Sequence, residues 1–292
     1  MYKAIAANKR NTVLIMAAFV GLISAIGYVV SLYFGNTSIT LWVVAGAAVY
    51  ALIQYFAASK LAVMTTGAKE IEKRDNPRLY RIVENLAITT GMPMPKVYII
   101  EDPAPNAFAT GRDPKHAVVA ATTGIMDIMD DRELEAVMAH EMGHVQNYDI
   151  RVSMIAFGLV SAIGILSDFV THMFFFGGNN DNRNINPAMM VVGIIIVILA
   201  PIMAALIQSA ISRQREYLAD ATGAMTTRDA EGLASALEKL ETAGRPMKRQ
   251  STSTAHLFFS NPLKPGTLAA MFSTHPPLQE RITRLRNNAT KF

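Results

Sequence analysis

The residues of this chain best suited to chemistry are His140-Glu141-Met142-Gly143-His144. On a helix, residues four apart share a face and lie ~6 Å apart along the axis, so both imidazoles can offer a nitrogen to one ion. Glu141 sits ~100° further round. From there it can take a proton from a metal-polarised water without competing for the ion, the arrangement of zinc peptidases. The bland alternative is a solvated helix face that happens to carry two histidines, and the motif alone does not separate the two. Its neighbours favour the metal: Ala139, Met142, Gly143 and Val145 are small or apolar and uncharged, as a buried site requires.

A catalytic zinc normally takes a third protein ligand and keeps one position open for water. The chain has no cysteine, which suits a reducing compartment and leaves only histidine and carboxylate as ligands. Asp149, five residues after His144, is one candidate, although its spacing suits a polar helix end equally well. Glu216, in the stretch Ser212 to Gly223, is the stronger one, because Asp220 follows it by one helical turn on the same face. A carboxylate there can accept from the far nitrogen of a ligating histidine and fix its tautomer. The competing reading is a surface charge cluster of Arg215, Glu216 and Asp220.

The elements that position these residues alternate between polar and strongly apolar stretches. The 292 residues are 51% hydrophobic and only 17% charged, with mean hydropathy +0.25. Soluble domains usually carry more charge, so the apolar excess belongs in spans. Val13 to Phe34, Ile39 to Ala58, Val152 to Phe176 and Ala188 to Ser209 are each long enough for ~30 Å of hydrocarbon. The first follows Lys3, Lys9 and Arg10, but its apolar run is too long for a signal peptide and a second span follows at once, so it reads as an anchor. Lys60, Lys69, Lys73 and Arg74 follow the second span, and Arg213 and Arg215 the fourth. The loop Gly35 to Thr40 has no basic residue and Gly177 to Pro187 only Arg183. Both termini and the polar segments are therefore expected on the cytoplasmic side. The net charge of +4 and the pI near 9.2 reflect this bias, and no basic stripe interleaved with aromatics marks a nucleic-acid site. Asp168 and His172, near the outer end of the third span, read as side chains snorkelling to the interface.

This divides the chain into a first membrane hairpin (1–58), a polar segment carrying the HExxH helix (59–151), a second hairpin (152–209) and a second polar segment (210–292). Pro77 to Thr90 has helical apolar spacing, stopped by Gly91-Met92-Pro93. Lys96 to Ile100 and His116 to Ala121 are short and β-branched, hence strands, and Pro105 to Asp113 could supply a third, edge-like one. Asp130-Asp131 opens a helix with Glu133 placed for a capping box, running to about Asn147. Ile211 to Met225 and Asp229 to Ala243 read as helices, and Thr274 to Asn288 as a turn followed by a basic helix. The expected fold class is a mainly α integral membrane protein, with four transmembrane helices and an α+β cytoplasmic domain containing a small sheet.

NAFATG (106–111), HEMGH (140–144), REYLAD (215–220) and THPPLQERI (274–282) occur in that order, with the spans between them. Together they resemble the HtpX family of bacterial membrane zinc metalloproteases, relatives of the CAAX prenyl protease, over nearly the full length. The resemblance implies a gluzincin-like protease domain in the cytoplasmic segments and one Zn2+ per chain. His140, His144 and Glu216 match the ligands and Glu141 the general base. It also implies residence in the cytoplasmic membrane and a role in degrading damaged or misfolded membrane proteins. Substrates would then be membrane proteins or unfolded polypeptides, and partners other membrane quality-control proteases. Asn106 matches the strand edge beside the substrate and would hold its backbone; read alone, it is equally a turn residue after Pro105. His275 matches a histidine that donates to the oxyanion; read alone, it is a helix-entry residue before Pro276-Pro277. Arg281 would support the same region. Two other readings are an intramembrane-cleaving protease, against which the charged neighbours Arg132, Glu133, Glu135 and Asp149 argue, and a non-catalytic scaffold or chaperone with a structural zinc. A structural zinc needs a fourth protein ligand, and none is obvious.

Overall fold

The structure is a computed structural model that describes residues 2–156, 158–159, 213–249, 257–261 and 276–291. In chain order its elements are α1 (Tyr2–Phe34), α2 (Ser38–Thr66), β1 (Lys69–Glu70), α3 (Pro77–Thr90), β2 (Lys96–Ile100), β3 (Ala107–Thr110), β4 (Val118–Thr122), α4 (Thr123–Ile128), α5 (Asp131–Gln146), α6 (Arg213–Thr227), α7 (Ala230–Ala243) and α8 (Leu278–Asn287). The chain divides into two compact units. One comprises residues 1–9, 59–154 and 211–292; the other, residues 10–58 and 155–210.

In the second unit the apolar parts of α1 and α2 form a hairpin. Gly35 ends α1 at φ 64, the left-handed stop that glycine adopts without penalty. A Cβ on Gly27 would stand 2.6 Å from Val43, so this glycine lets the two helices touch. The Tyr50 hydroxyl donates to the Gly158 carbonyl at 2.8 Å. Leu41 and Trp42 are 73% and 78% exposed, apolar surface that lipid would cover. The expected first span falls within α1 and the second within α2, which is long and apolar enough to cross a membrane. Residues 149–156, 158 and 159 are helical, covering the start of the expected third span. Its remainder, the fourth span, the loop 177–187, Asp168 and His172 lie outside the described residues.

The first unit is mostly helix around a four-stranded sheet of order β1-β2-β4-β3. β2 and β4 are parallel, with Val97 opposite Val119, whereas β3 runs antiparallel to β4, with Ala107 opposite Ala121. Every residue of β3 and β4 is buried, which is why these strands read as apolar runs rather than alternating patterns. The edge-like strand expected at Pro105 to Asp113 is β3, and its outer side pairs with the chain itself. Phe108 bridges Phe258, and the Phe259 N–H donates to the Ala107 carbonyl at 2.8 Å. The strand expected from His116 starts later, at Val118. Pro114 and the Asp113 carboxylate, which accepts from His116 N–H at 3.0 Å, hold residues 114–116 in a 3-10 turn instead. The short β1 and α4 carry no periodicity long enough to announce them.

α3 begins at Pro77 as expected, and the structure adds its cap, Asn76 accepting from Leu79 N–H at 3.0 Å. It packs Leu79, Val83 and Leu86 into a core shared with Val119, Leu134, Val137, Leu237 and Leu285. That core is the platform under α5. Burying such side chains contributes roughly 1.5–3 kcal/mol each.

Candidate metal centre

α5 starts with a reciprocal capping box: Asp130 accepts from Glu133 N–H at 2.9 Å and Glu133 from Asp130 N–H at 3.0 Å. The buried Glu133 carboxylate also accepts from Ser235 and Lys239 of α7, both at 2.6 Å. The start of the helix is thereby pinned, and His140, Glu141 and His144 project at fixed heights from it. α6 is its most extensive partner. Glu216, Asp220 and Gly223 recur at i, i+4 and i+7, on one face of α6. A Cβ on Gly223 would come within 3.0 Å of the His140 backbone nitrogen. The absent side chain lets α6 approach close enough to bring both carboxylates to the histidines, a role the sequence reading did not assign.

One nitrogen of His140, one of His144 and one carboxylate oxygen of Glu216 all lie within 4.8 Å of one another. His140 Nε2 and His144 Nε2 are 3.1 Å apart. Glu216 Oε1 is 3.5 Å from His144 Nε2, and its Oε2 is 3.9 Å from His140 Nε2. Donor atoms each ~2.1 Å from a tetrahedral ion stand ~3.4 Å apart, so the three spacings bracket what one first-row divalent ion requires. Two facing Nε2 lone pairs repel unless a cation or a proton lies between them. The donor set therefore fits a metal.

The far sides of both rings are held. His140 Nδ1 meets Asp220 Oδ1 at 2.9 Å and His144 Nδ1 meets Asp149 Oδ2 at 3.0 Å. With an ion bound, both rings would carry their proton on Nδ1 and present Nε2 to it. Arg281 is wholly buried and grips Asp220 with Nε and Nη2 at 2.9 and 2.7 Å. Arg281 Nη2 also stands 3.4 Å from His140 Nδ1; the shorter carboxylate contact decides the tautomer. The Phe259 ring packs edge-on against His140, with the Arg281 guanidinium over its face.

The two histidines differ electrostatically. Burial pushes His140 down to about 4 despite the Asp220 bond, because the Arg281 and His144 charges act against protonation. Burial would lower His144 too, but the Asp149 hydrogen bond and the charges of Glu216, Asp149 and Glu141 outweigh it and hold this ring at about 9. Burial would raise Asp220, yet Arg281 and His140 bring it down to about 2. Glu141 is buried, and its charge acts on both His144 and Arg281.

Of the residues expected from sequence, His140, His144, Glu216, Asp220 and Glu141 come together. Asp149, weighed above as a third ligand, lies on the Nδ1 side of His144 instead, away from the ion position. Asn106 sits at the head of β3 with its carboxamide bonded to the chain's own backbone at Ser260 and Ala107. Its Nδ2 donates to the Ser260 carbonyl at 2.8 Å and its Oδ1 accepts from Ser260 N–H at 3.0 Å. His275 lies outside the described residues. The bidentate grip of Arg281 and the packing of Phe259 were not legible beforehand; only their place among buried neighbours reveals them.

Comparison with known proteins agrees with this geometry. The profile of peptidase family M48 matches residues 73–289. A protease HtpX homolog of Tropheryma whipplei (strain Twist) is 55% identical over 292 residues, covering 100% of both chains. Another, of Lactobacillus acidophilus, is 42% identical over 297 positions, covering 98% of this chain and 99% of its own. The crystal structure of S. mikatae Ste24p shares the fold, with a TM-score of 0.53 at 20% identity over 98% of this chain and 67% of that one. A full-length match to HtpX proteases, with two histidines and a glutamate converging on one point, leads to one conclusion: the chain belongs to peptidase family M48 and is a membrane-associated metalloprotease.

Proposed function

We propose that the protein is a zinc-dependent endopeptidase of the cytoplasmic membrane that cuts damaged or misfolded membrane proteins on their cytoplasmic side. The observation that carries this is the convergence of His140, His144 and Glu216, with both Nδ1 atoms already committed to Asp220 and Asp149. Two imidazoles and a carboxylate without thiolates suit zinc. Among the described residues the cluster has three ligand side chains, so a zinc held by them would have room for water, unlike one in a closed structural site.

Zinc bound there supplies a Lewis acid that polarises the scissile carbonyl and makes water acidic enough to attack at neutral pH. Glu141 accepts the proton of the attacking water and passes it to the departing amine, so that the C–N bond breaks as the new C–O bond is kept. Asp220 and Asp149 hold the histidines in the ligating tautomer. Arg281 Nη1 is buried without a hydrogen-bond partner among the described residues and lies 3.9 Å from Glu216 Oε2, a donor kept in reserve beside the cluster. With His275 it supports the region where negative charge develops on the carbonyl oxygen. Asn106 would hold a substrate strand beside β3 in exchange for the two hydrogen bonds its carboxamide makes to the Ser260 backbone. Four spans with both termini cytoplasmic, read from the basic residues that flank them, would keep this chemistry at the membrane face.

The test is Glu141→Gln in the full-length protein. Zinc content should stay at one per chain while casein cleavage falls by roughly 10²–10⁴-fold, the range for loss of a general base. Unchanged turnover in that variant rules out the mechanism.

A further inference from the structure

The carboxylate that holds His144 is itself held, and from an unexpected part of the chain. Asp149 follows the HExxH helix by three residues, yet it must point back up the helix to reach His144 Nδ1. The chain achieves this with Tyr148 at φ 63, a left-handed conformation that a non-glycine residue adopts only when its surroundings enforce it. The enforcing group is Asn8, near the start of α1. Its Nδ2 donates to the Asn147 carbonyl at 2.9 Å and to Asp149 Oδ1 at 2.6 Å. One amide nitrogen thus uses both hydrogens to clamp the residues on either side of Tyr148. Lys9, next in sequence, lies 4.5 Å over the Tyr148 ring, and Arg151 lies 4.8 Å from it. Asn8, Asn147 and Asp149 are all buried, so water does not substitute readily for the clamp.

We propose that Asn8 is a positioning residue of the metal centre: through Asp149 it fixes the rotation of the His144 ring, and so makes the first turns of α1 part of the zinc site. The inference rests on the zinc-peptidase reading. Asp149 offers Oδ1 to Asn8 at 2.6 Å, with Arg215 Nε more distant at 4.0 Å from the same oxygen, and Oδ2 to His144, so the plane of the carboxylate, and with it the direction of the Nδ1–H bond, is set chiefly from the Asn8 side. The first turns of α1 therefore do more than lead into an anchor. Only a side chain with two donors on one nitrogen, at this reach, makes both bonds.

The experiment measures zinc affinity of the full-length protein in detergent, by competition with a chromophoric chelator, for wild type, Asn8→Ala, Asp149→Ala and the double variant. Asn8→Ala should raise the zinc dissociation constant roughly tenfold, the low end of the range for outer partners of a metal ligand. In the Asp149→Ala background the same substitution should change it by less than about twofold, because its route to the ion is gone. The isosteric Asn8→Asp, which sets a second carboxylate against Asp149, should weaken binding more than alanine does. KM for a peptide substrate at saturating zinc should hold while zinc dissociation speeds up. A wild type that binds one zinc beside an Asn8→Ala variant of equal affinity overturns the proposal. So does an equal loss in both backgrounds, which would mark Asn8 as merely structural. A wild type that binds no zinc overturns the enzyme reading itself, and this proposal with it.

Discussion

At its N-terminal end, α5 is closed by residues adjacent in sequence: the Asp130 and Glu133 side chains each accept from the other's backbone. At its C-terminal end, the closing donor is Asn8, 139 residues away from Asn147 in the chain. The first end obeys every local preference for starting a helix. The second breaks one, with a tyrosine at φ 63 where glycine or asparagine would be usual. The obedient end meets α7 and steadies the fold. The strained end aims a carboxylate at a zinc ligand. Local rules are broken where a side chain must be delivered to one point, and a distant residue makes good the loss.

Substitutions at the two ends should therefore have distinct signatures. Asp149→Ala removes the acceptor of His144 Nδ1. It should weaken zinc binding roughly 10–100-fold, and leaving the buried Asn8 donor and the His144 ring without this acceptor should cost the zinc-free protein about 1–3 kcal/mol. Glu133→Ala should cost stability without touching zinc. It strips Ser235, Lys239 and the Asp130 N–H of their shared acceptor. Lys239 is 41% exposed, so the loss should be about 2 kcal/mol rather than that of a fully buried pair. Zinc affinity should stay within about twofold of wild type, since no metal ligand touches Glu133. If Glu133→Ala weakens zinc binding as much as Asp149→Ala does, the division of labour along α5 is wrong.

Acid sharpens the same contrast. Burial would raise the Glu133 carboxyl, but the bonds from Lys239, Ser235 and Asp130 outweigh it and hold it below the ordinary glutamate value. A group depressed in the folded state contributes stability above its unfolded pKa, ~4.3 for glutamate, and loses it as pH falls through the folded value. Unfolding free energy of wild type should therefore fall below about pH 4.5 by an increment that Glu133→Ala lacks. Chemical denaturation at pH 7 and at pH 4 for both proteins reads this directly.

How much of this was legible follows the same line. The start of α5, α3 with its Gly91 stop, and the i, i+4 pairs His140/His144 and Glu216/Asp220 could all be read, because each is a short-range pattern with one physical cause. His116 was misplaced because a three-residue turn competes with a strand whose first residues look alike. Asp149 was legible as a polar helix end but not as the partner of His144, since its direction depends on the backbone at Tyr148. Asn8 and Gly223 left no signal: a lone asparagine ahead of a span, and a glycine inside a helix, gain their roles only from what packs against them.

Tyr148 gives the smallest and most specific effect. Tyr148→Ala and Tyr148→Gly both delete the ring that lies under Lys9 and beside Arg151, so loss of those contacts cancels between them. What remains is the backbone. Alanine keeps the Cβ that makes φ 63 costly, whereas glycine takes it freely. Near a helix alanine is ordinarily the more stabilising residue, by about 0.5–1 kcal/mol. Here the order should invert, with the glycine variant more stable by about 1 kcal/mol. The glycine variant should also bind zinc at least as tightly as the alanine one, because its turn still delivers Asp149 to His144 without strain. An alanine variant that is the more stable and the tighter binder would mean that the turn at Tyr148 relaxes in solution, and that the strained end of α5 does not aim anything.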